Sequence, residues 1–166
     1  MGGGKGVFLL KAALDKLWEE KQDFCLDVHF TPAKVPPYIR THAPYTYDEL
    51  ERIFQDTDIL AAPSIWNETF GYTVLEALSY GVPVIISGTV GAKDILVQGA
   101  GIVVEDITSE KLYQVFRELT AEKLRQMNEV IVEKQNIMTM EEMAGLIIDK
   151  CYGWIQGGCP SLAGRR

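Results

Sequence analysis

The stretch SIWNETFGYTVLEALSYGVPVI, Ser64 to Ile85, decides how this sequence is read. Its end, continued as VPVIISG over Val82–Gly88, is a fully apolar strand of the kind buried on both faces of a parallel sheet. Its middle, Gly71–Gly81, carries a helical pattern stopped by Gly81. Just before it, DILAAPS over Asp58–Ser64 reads as a second short apolar strand. Pro63 to Phe70 therefore falls at the carboxyl end of a strand, where open parallel sheets bind ligands. The first amides of the following helix make an anion site there, and Gly71 lets a ligand come close to the backbone. Glu76, over one turn into the helix, is placed to accept hydrogen bonds from a vicinal diol such as a ribose. Glu68, just ahead of the helix, can reach a sugar hydroxyl across the same cleft. A glutamate near a helix N-terminus also simply favours the helix dipole, so spacing alone leaves both readings open.

Working outward, strands and helices alternate. Lys5 to Glu20 reads as an amphipathic helix with Phe8, Leu9, Ala12, Ala13, Leu17 and Trp18 at helical spacing. Asp23–Thr31 alternates Phe24, Leu26, Val28 and Phe30 against Cys25, Asp27 and His29, a strand of period two. A proline-rich connector leads to a short strand within Tyr38–Tyr45. Thr46 and Glu49 open a helix as a capping box. After Gly88 follow a short helix over Gly91–Gly99, a strand over Ala100–Glu105, a helix capped by Thr108 or Ser109, and further helices to about Ile155. This order predicts an α/β fold, a doubly wound Rossmann-like domain with a largely parallel sheet. Residues 1–156 are expected to form it and 157–166 a disordered tail. Such a domain starts on a strand, whereas this chain opens on a helix, so its first strand is expected to be missing.

Composition narrows the function classes. The 166 residues carry a net charge of −7, which argues against a broad nucleic-acid-binding face. Cys25, Cys151 and Cys159 are odd in number and form no CxxC pair, so neither a disulfide scaffold nor a structural zinc site is expected. No apolar run reaches membrane-spanning length and no signal-peptide h-region appears. The expectation is a cytoplasmic protein. The segment GGGKG is not a P-loop, because Gly6 and Val7 follow Lys5 and no strand precedes it. His29 and His42 read as packed or surface residues, and Trp66 as either a loop anchor or a wall of the sugar site. Lys93 is placed to help hold phosphate, or is an ordinary surface lysine.

In this ordered setting, ETFGYTVLEALSYGVPV resembles the E-x7-E signature of retaining glycosyltransferases of the GT-B fold, GT4 group. HAPYTYDELERIFQDTDILAAPS is similar to the stretch just upstream of that signature. GAKDIL followed by GAGIVVE resembles the next loop and strand, and KGVFLLKAALDKL the helix after the family's phosphate-binding loop. The resemblance spans about Lys5 to Leu119.

It implies that Glu76 binds the nucleotide ribose, Glu68 contacts the donor sugar, and Thr69, Phe70 and Gly71 present backbone amides to sugar and diphosphate. Lys5 would neutralise the departing diphosphate, and the backbone near Ile39 to His42 would lie close to the base. The catalytic pair would be Glu68 and Lys5. No cofactor or metal is implied, the nucleotide sugar being the substrate. Two features depart from the family. The arginine that pairs with the lysine is absent, and the connector Thr31–Pro37 is short. The expected partners are a nucleotide-sugar donor and an N-terminal acceptor domain of a parent enzyme that could sit peripherally at a membrane, with no nucleic acid. On this reading the chain is a C-terminal donor-binding domain, inactive alone, and its incomplete sheet could support self-association. A GT-B-type nucleotide-sugar epimerase and a non-catalytic nucleotide-binding module are the alternatives.

Overall fold

The computed structural model describes residues 3–30 and 35–152. They fall into two compact units divided after Gln135. The proposed tail, Trp154 and Cys159 lie outside the described residues.

The first unit is α/β, as its alternating pattern predicts. Helix α1 covers Val7–Glu20 and leads to strand β1, Leu26–Val28, and strand β2, Ile39–Thr41. A 3-10 turn at Tyr47–Glu49 then runs into α2, Leu50–Gln55. The capping box forms: the Thr46 amide donates to Glu49 Oε2 at 2.9 Å. Strand β3 is Leu60–Ala62, α3 is Tyr72–Ser79 and β4 is Val84–Ser87. The segment after β4 is a 3-10 turn, Gly91–Ile95, followed by β5, Gly101–Val104. Helix α4, Ser109–Arg117, is capped by Thr108, whose hydroxyl accepts from the Lys111 amide at 3.1 Å. Helix α5 spans Ala121–Lys134.

All strand pairs are parallel, but they form two sheets. One pairs β1 with β2. The other has the order β3-β4-β5. Strand β4 is buried at every residue, which explains its unbroken apolar run. Strand β3 reads as equally apolar yet stays half-buried throughout, because its edge away from β4 borders a groove.

Helices α1 and α4 cover one face of the sheets. Leu10, Ala13, Leu14 and Leu17 of α1 join Ile85, Val104 and Leu112 in the main core. The buried stripe of α1 is rotated from the predicted one: Ala12 is exposed and Phe8 is 71% exposed, while Leu10 and Leu14 point inward. Two apolar stripes overlap on this helix, and packing chose between them. Tyr38 is buried among these residues, with its hydroxyl donating to Asp15 Oδ1 at 2.8 Å. Burial, and then the Asp15 carboxylate, push the phenol upward so that it stays neutral. On the other side, Val74, Ala77 and Leu78 of α3 and Leu50 and Phe54 of α2 are buried.

The second unit contains α6, Met140–Ile147, continued by a π-helical turn over Ile148–Tyr152. Thr139 and Glu142 form a second capping box at its start. Among the described residues no helix is long and apolar enough to cross a membrane.

Ile85 is fully buried at the centre of β4. Ile85→Ala is expected to lower the stability by about 2–5 kcal/mol in urea unfolding with little change in the denaturant slope. A loss below about 1 kcal/mol would contradict its place in the core.

Candidate functional site

The carboxyl ends of β3 and β4 are tied together by hydroxyls. Ser64, 2% exposed, lies just beyond β3, and its carbonyl accepts from Ser87 Oγ at 2.5 Å and from Thr89 Oγ1 at 2.7 Å. The loop that follows is clamped to the segment after β4. The Glu68 amide donates to the Thr89 carbonyl, the Gly91 amide to the Glu68 carbonyl, and the Ala92 amide to the Phe70 carbonyl, at 2.8–3.0 Å. This short parallel bridge, Glu68 to Val90, holds the rim rigidly. The residues that tie the two strand ends together, Ser64, Ser87 and Thr89, were not singled out in the sequence. Small hydroxyl residues at successive strand ends are the only signal they leave there.

Gly71 caps α3 at φ 87°. A β-carbon at this position would stand 2.9 Å from Val90 Cγ1, so the turn and the packing both require glycine. Among the described residues, the amides of Thr69, Phe70 and Gly71 have no hydrogen-bond partner within the protein. They are donors at the start of α3, beside the positive end of its dipole.

The glycine-rich N-terminus reaches the same corner. The Gly4 carbonyl accepts from the Ile65 amide at 2.9 Å, from the Trp66 amide at 3.3 Å and from Ser64 Oγ at 3.2 Å. Gly6 caps α1 at φ 69°, and a β-carbon there would fall 1.6 Å from the Pro63 carbonyl oxygen. The glycines thus permit close backbone packing against Pro63–Trp66. Trp66 lies against Gly4, yet is 68% exposed. Its indole covers the glycine turn from outside instead of anchoring in the core.

Between these two glycine turns sits Lys5. Its Nζ donates to Glu68 Oε1 at 2.7 Å, joining residues 63 positions apart. Burial alone would push the Glu68 carboxyl up. The Lys5 ammonium and the Ser64 hydroxyl outweigh that, so the group sits below the ordinary glutamate value and is a carboxylate at neutral pH.

The pair opens onto a cavity of about 1060 Å³. Lys5, Glu68, Thr69, Phe70 and Gly71 all line it, so five of the six predicted site residues share one space. Glu76 is half-buried on α3 and is not among the lining residues. Ile39 lines the cavity, while His42 does not. His42 instead bonds the Asp27 carboxylate through Nε2 and stacks on His29 at 5.1 Å. Lys93 Nζ donates to the Gly88 carbonyl at 2.6 Å and so braces the loop after β4. Two exposed aromatics, Phe8 and Tyr72, also wall the cavity and were not picked out as site residues. Their position on the rim follows from the packing of α1 and α3.

A lysine, a carboxylate and amides without partners thus meet at the carboxyl end of parallel strands, an arrangement whose chemistry suits an anion. Residues 40–136 match the family model described as glycosyl transferases group 1. The chain belongs to this family. It is 33% identical over 100 residues to the sulfoquinovosyl transferase SQD2 of Arabidopsis thaliana, which is 58% of this chain and 19% of that protein. In three dimensions it superposes on the C-terminal domain of the group 1 family protein LpcC from Francisella tularensis, with TM-score 0.66, 18% identity and 83% of each chain covered. It also superposes on Anabaena Alr3699/HepE, solved in complex with UDP-glucose, with TM-score 0.58, 14% identity, 90% of this chain and 46% of that one. The fold is thus that of the Rossmann-like C-terminal half of GT-B glycosyltransferases. The chain spans about a fifth of the curated relative and about half of the Anabaena protein.

Replacing Lys5 removes the lowering influence on Glu68 and leaves the burial. Lys5→Ala is therefore expected to raise the Glu68 titration midpoint, read from the carboxyl carbon shift in NMR. In the unsubstituted protein the stabilisation from this pair is present above the ordinary carboxylate range, and is lost as the pH falls through the depressed value. An unchanged midpoint in Lys5→Ala would show that the two groups do not pair in solution.

Proposed function

We propose that this chain is the donor-binding domain of a glycosyltransferase that takes a sugar from a nucleotide diphosphate donor and transfers it with retention of configuration. The observation that carries this reading is the Lys5–Glu68 pair at 2.7 Å, set beside the unpartnered amides of Thr69–Gly71 in one cavity. Membership of the group 1 family supports it, as does the likeness to a protein solved with UDP-glucose.

The chemistry assigns roles. Departure of the nucleoside diphosphate concentrates negative charge on the phosphate oxygens. Lys5 and the α3 amides stabilise that charge without reorganising. An incoming diphosphate competes with Glu68 for the Lys5 ammonium, which frees the Glu68 carboxylate to accept from a sugar hydroxyl. Glu76, one turn further along α3, binds the ribose hydroxyls. No metal is needed for this division of labour, because the lysine and the helix start supply the positive potential. An N-terminal acceptor domain completes the enzyme, and the chain alone binds donor but does not transfer.

Titration calorimetry with UDP, GDP and ADP tests the proposal. One of the three is expected to bind, and Lys5→Ala and Glu76→Ala are each expected to weaken it by about tenfold or more. Absence of binding at millimolar nucleotide, in a protein whose amide spectrum shows it folded, would overturn the assignment. With the acceptor domain attached, the anomeric coupling of the product checks retention.

A further inference from the structure

The connection from β4 to β5 borders the rim loop and returns to the amino end of the sheet without an α-helix. In its place stand the 3-10 turn Gly91–Ile95 and an irregular return over 96–100. A 3-10 turn makes poorer hydrogen bonds than an α-helix, so the position of this segment depends on what grips it from outside. Its rim end is gripped by the site loop. The Gly91 amide donates to the Glu68 carbonyl at 2.9 Å and the Ala92 amide to the Phe70 carbonyl at 2.8 Å. Val90, fully buried, packs against Gly71 at the start of α3.

Its far end is gripped from α5. Gln135 Oε1 accepts from the Val97 amide at 2.9 Å, and Gln135 Nε2 donates to the Ile95 carbonyl at 3.1 Å, across 38 and 40 positions of chain. Among the described residues, these two backbone groups have no other partner. One side-chain amide supplies both the donor and the acceptor they need. The side chain is fixed at its base, because Gln135 ends α5 with its own amide donating to the Ile131 carbonyl at 3.0 Å. Ile131 is buried, and Val130 beside it faces Gly99 of the return segment.

We propose that Gln135 is a positioning residue for the rim loop 68–71. It does not line the cavity. By holding Ile95 and Val97 it fixes where Gly91 and Ala92 stand. Those two amides hold the backbone of Glu68 and Phe70, and with it the unpartnered amides of Thr69–Gly71. Loss of the Gln135 amide leaves a carbonyl and an N–H unpaired in a segment with no α-helix of its own to keep its shape. That the rim amides serve a diphosphate rests on the donor-binding function proposed above; the link from Gln135 to the rim does not.

Three variants test it. Gln135→Met keeps the length of the side chain and removes both hydrogen bonds. Gln135→Glu keeps the acceptor for Val97. Asn128→Ala removes a different α5 contact, Asn128 Nδ2 to the Gly81 carbonyl at 2.7 Å, ahead of β4 and away from the rim. Hydrogen exchange of the Gly91 and Ala92 amides is read without ligand, relative to Ile85 and Ile86 of β4. Calorimetric titration with UDP, GDP and ADP, each in turn, reads the affinity of the folded protein. Gln135→Met is expected to speed relative exchange of Gly91 and Ala92 by about tenfold and to weaken nucleotide binding by about fivefold. Gln135→Glu is expected to recover part of both losses, and Asn128→Ala to cause neither. Unchanged exchange of Gly91 and Ala92 in Gln135→Met would overturn the proposal. Equal effects from Asn128→Ala would mark a general loosening and overturn it too, as would unchanged affinity alongside faster exchange. If the unsubstituted chain binds none of the three nucleotides, the donor-binding function fails, and the exchange comparison alone decides the role of Gln135.

Discussion

The site depends on a backbone contact rather than on a side chain. The Gly4 carbonyl takes the amides of Ile65 and Trp66, and Gly6 packs on the Pro63 carbonyl at a distance that leaves no room for a β-carbon. This fastening brings the start of α1 onto the carboxyl end of β3. Lys5, lying between the two glycines, is thereby delivered to Glu68. Without the close approach, a flexible lysine and a loop glutamate would pair weakly at best, since exposed ion pairs contribute little by themselves. The pair here is a consequence of this corner, and the same corner leaves the Thr69–Gly71 amides without a partner among the described residues, beside the cavity.

The second constraint is how the parallel strands are distributed. Strand β4 is buried on both faces and holds β3 and β5 in register. The half-burial of β3 and the half-exposed alternation of β1 have one cause, the groove between them. The groove and the site are parts of one space: its upper end is the cavity walled by Lys5, Glu68 and Phe70.

The fold was legible in the sequence to a large degree. Strand and helix positions followed largely from periodicity, although the short helix expected over Gly91–Gly99 is a 3-10 turn, and the caps at Thr46 and Thr108 formed. The apolar run at Val84–Ser87 announced a doubly covered strand. Of the site, the loop from Glu68 to Gly71 was visible because glycine, acid and helix start occur within a few residues. Less was visible where packing decides. The buried face of α1 is Leu10, Ala13, Leu14 and Leu17, not the stripe through Phe8 and Ala12. Trp66 lies outside the core, over a glycine, and Lys93 is held by a carbonyl of its own loop. Ser64, Ser87 and Thr89 give no pattern in one dimension, since their hydroxyls act by joining two strand ends.

By itself, then, the sequence determined what neighbouring residues can settle among themselves: helix starts and stops, strand periodicity, and the place of a glycine at the start of α3. Those depend on interactions over one or two turns. The tertiary structure alone decided that Lys5 meets Glu68 across 63 positions, that five parallel strands divide into two sheets, and that Phe8 and Tyr72 wall one cavity. These are contacts between residues remote in the chain, and no local preference encodes them. They arise only when apolar faces compete for the same core.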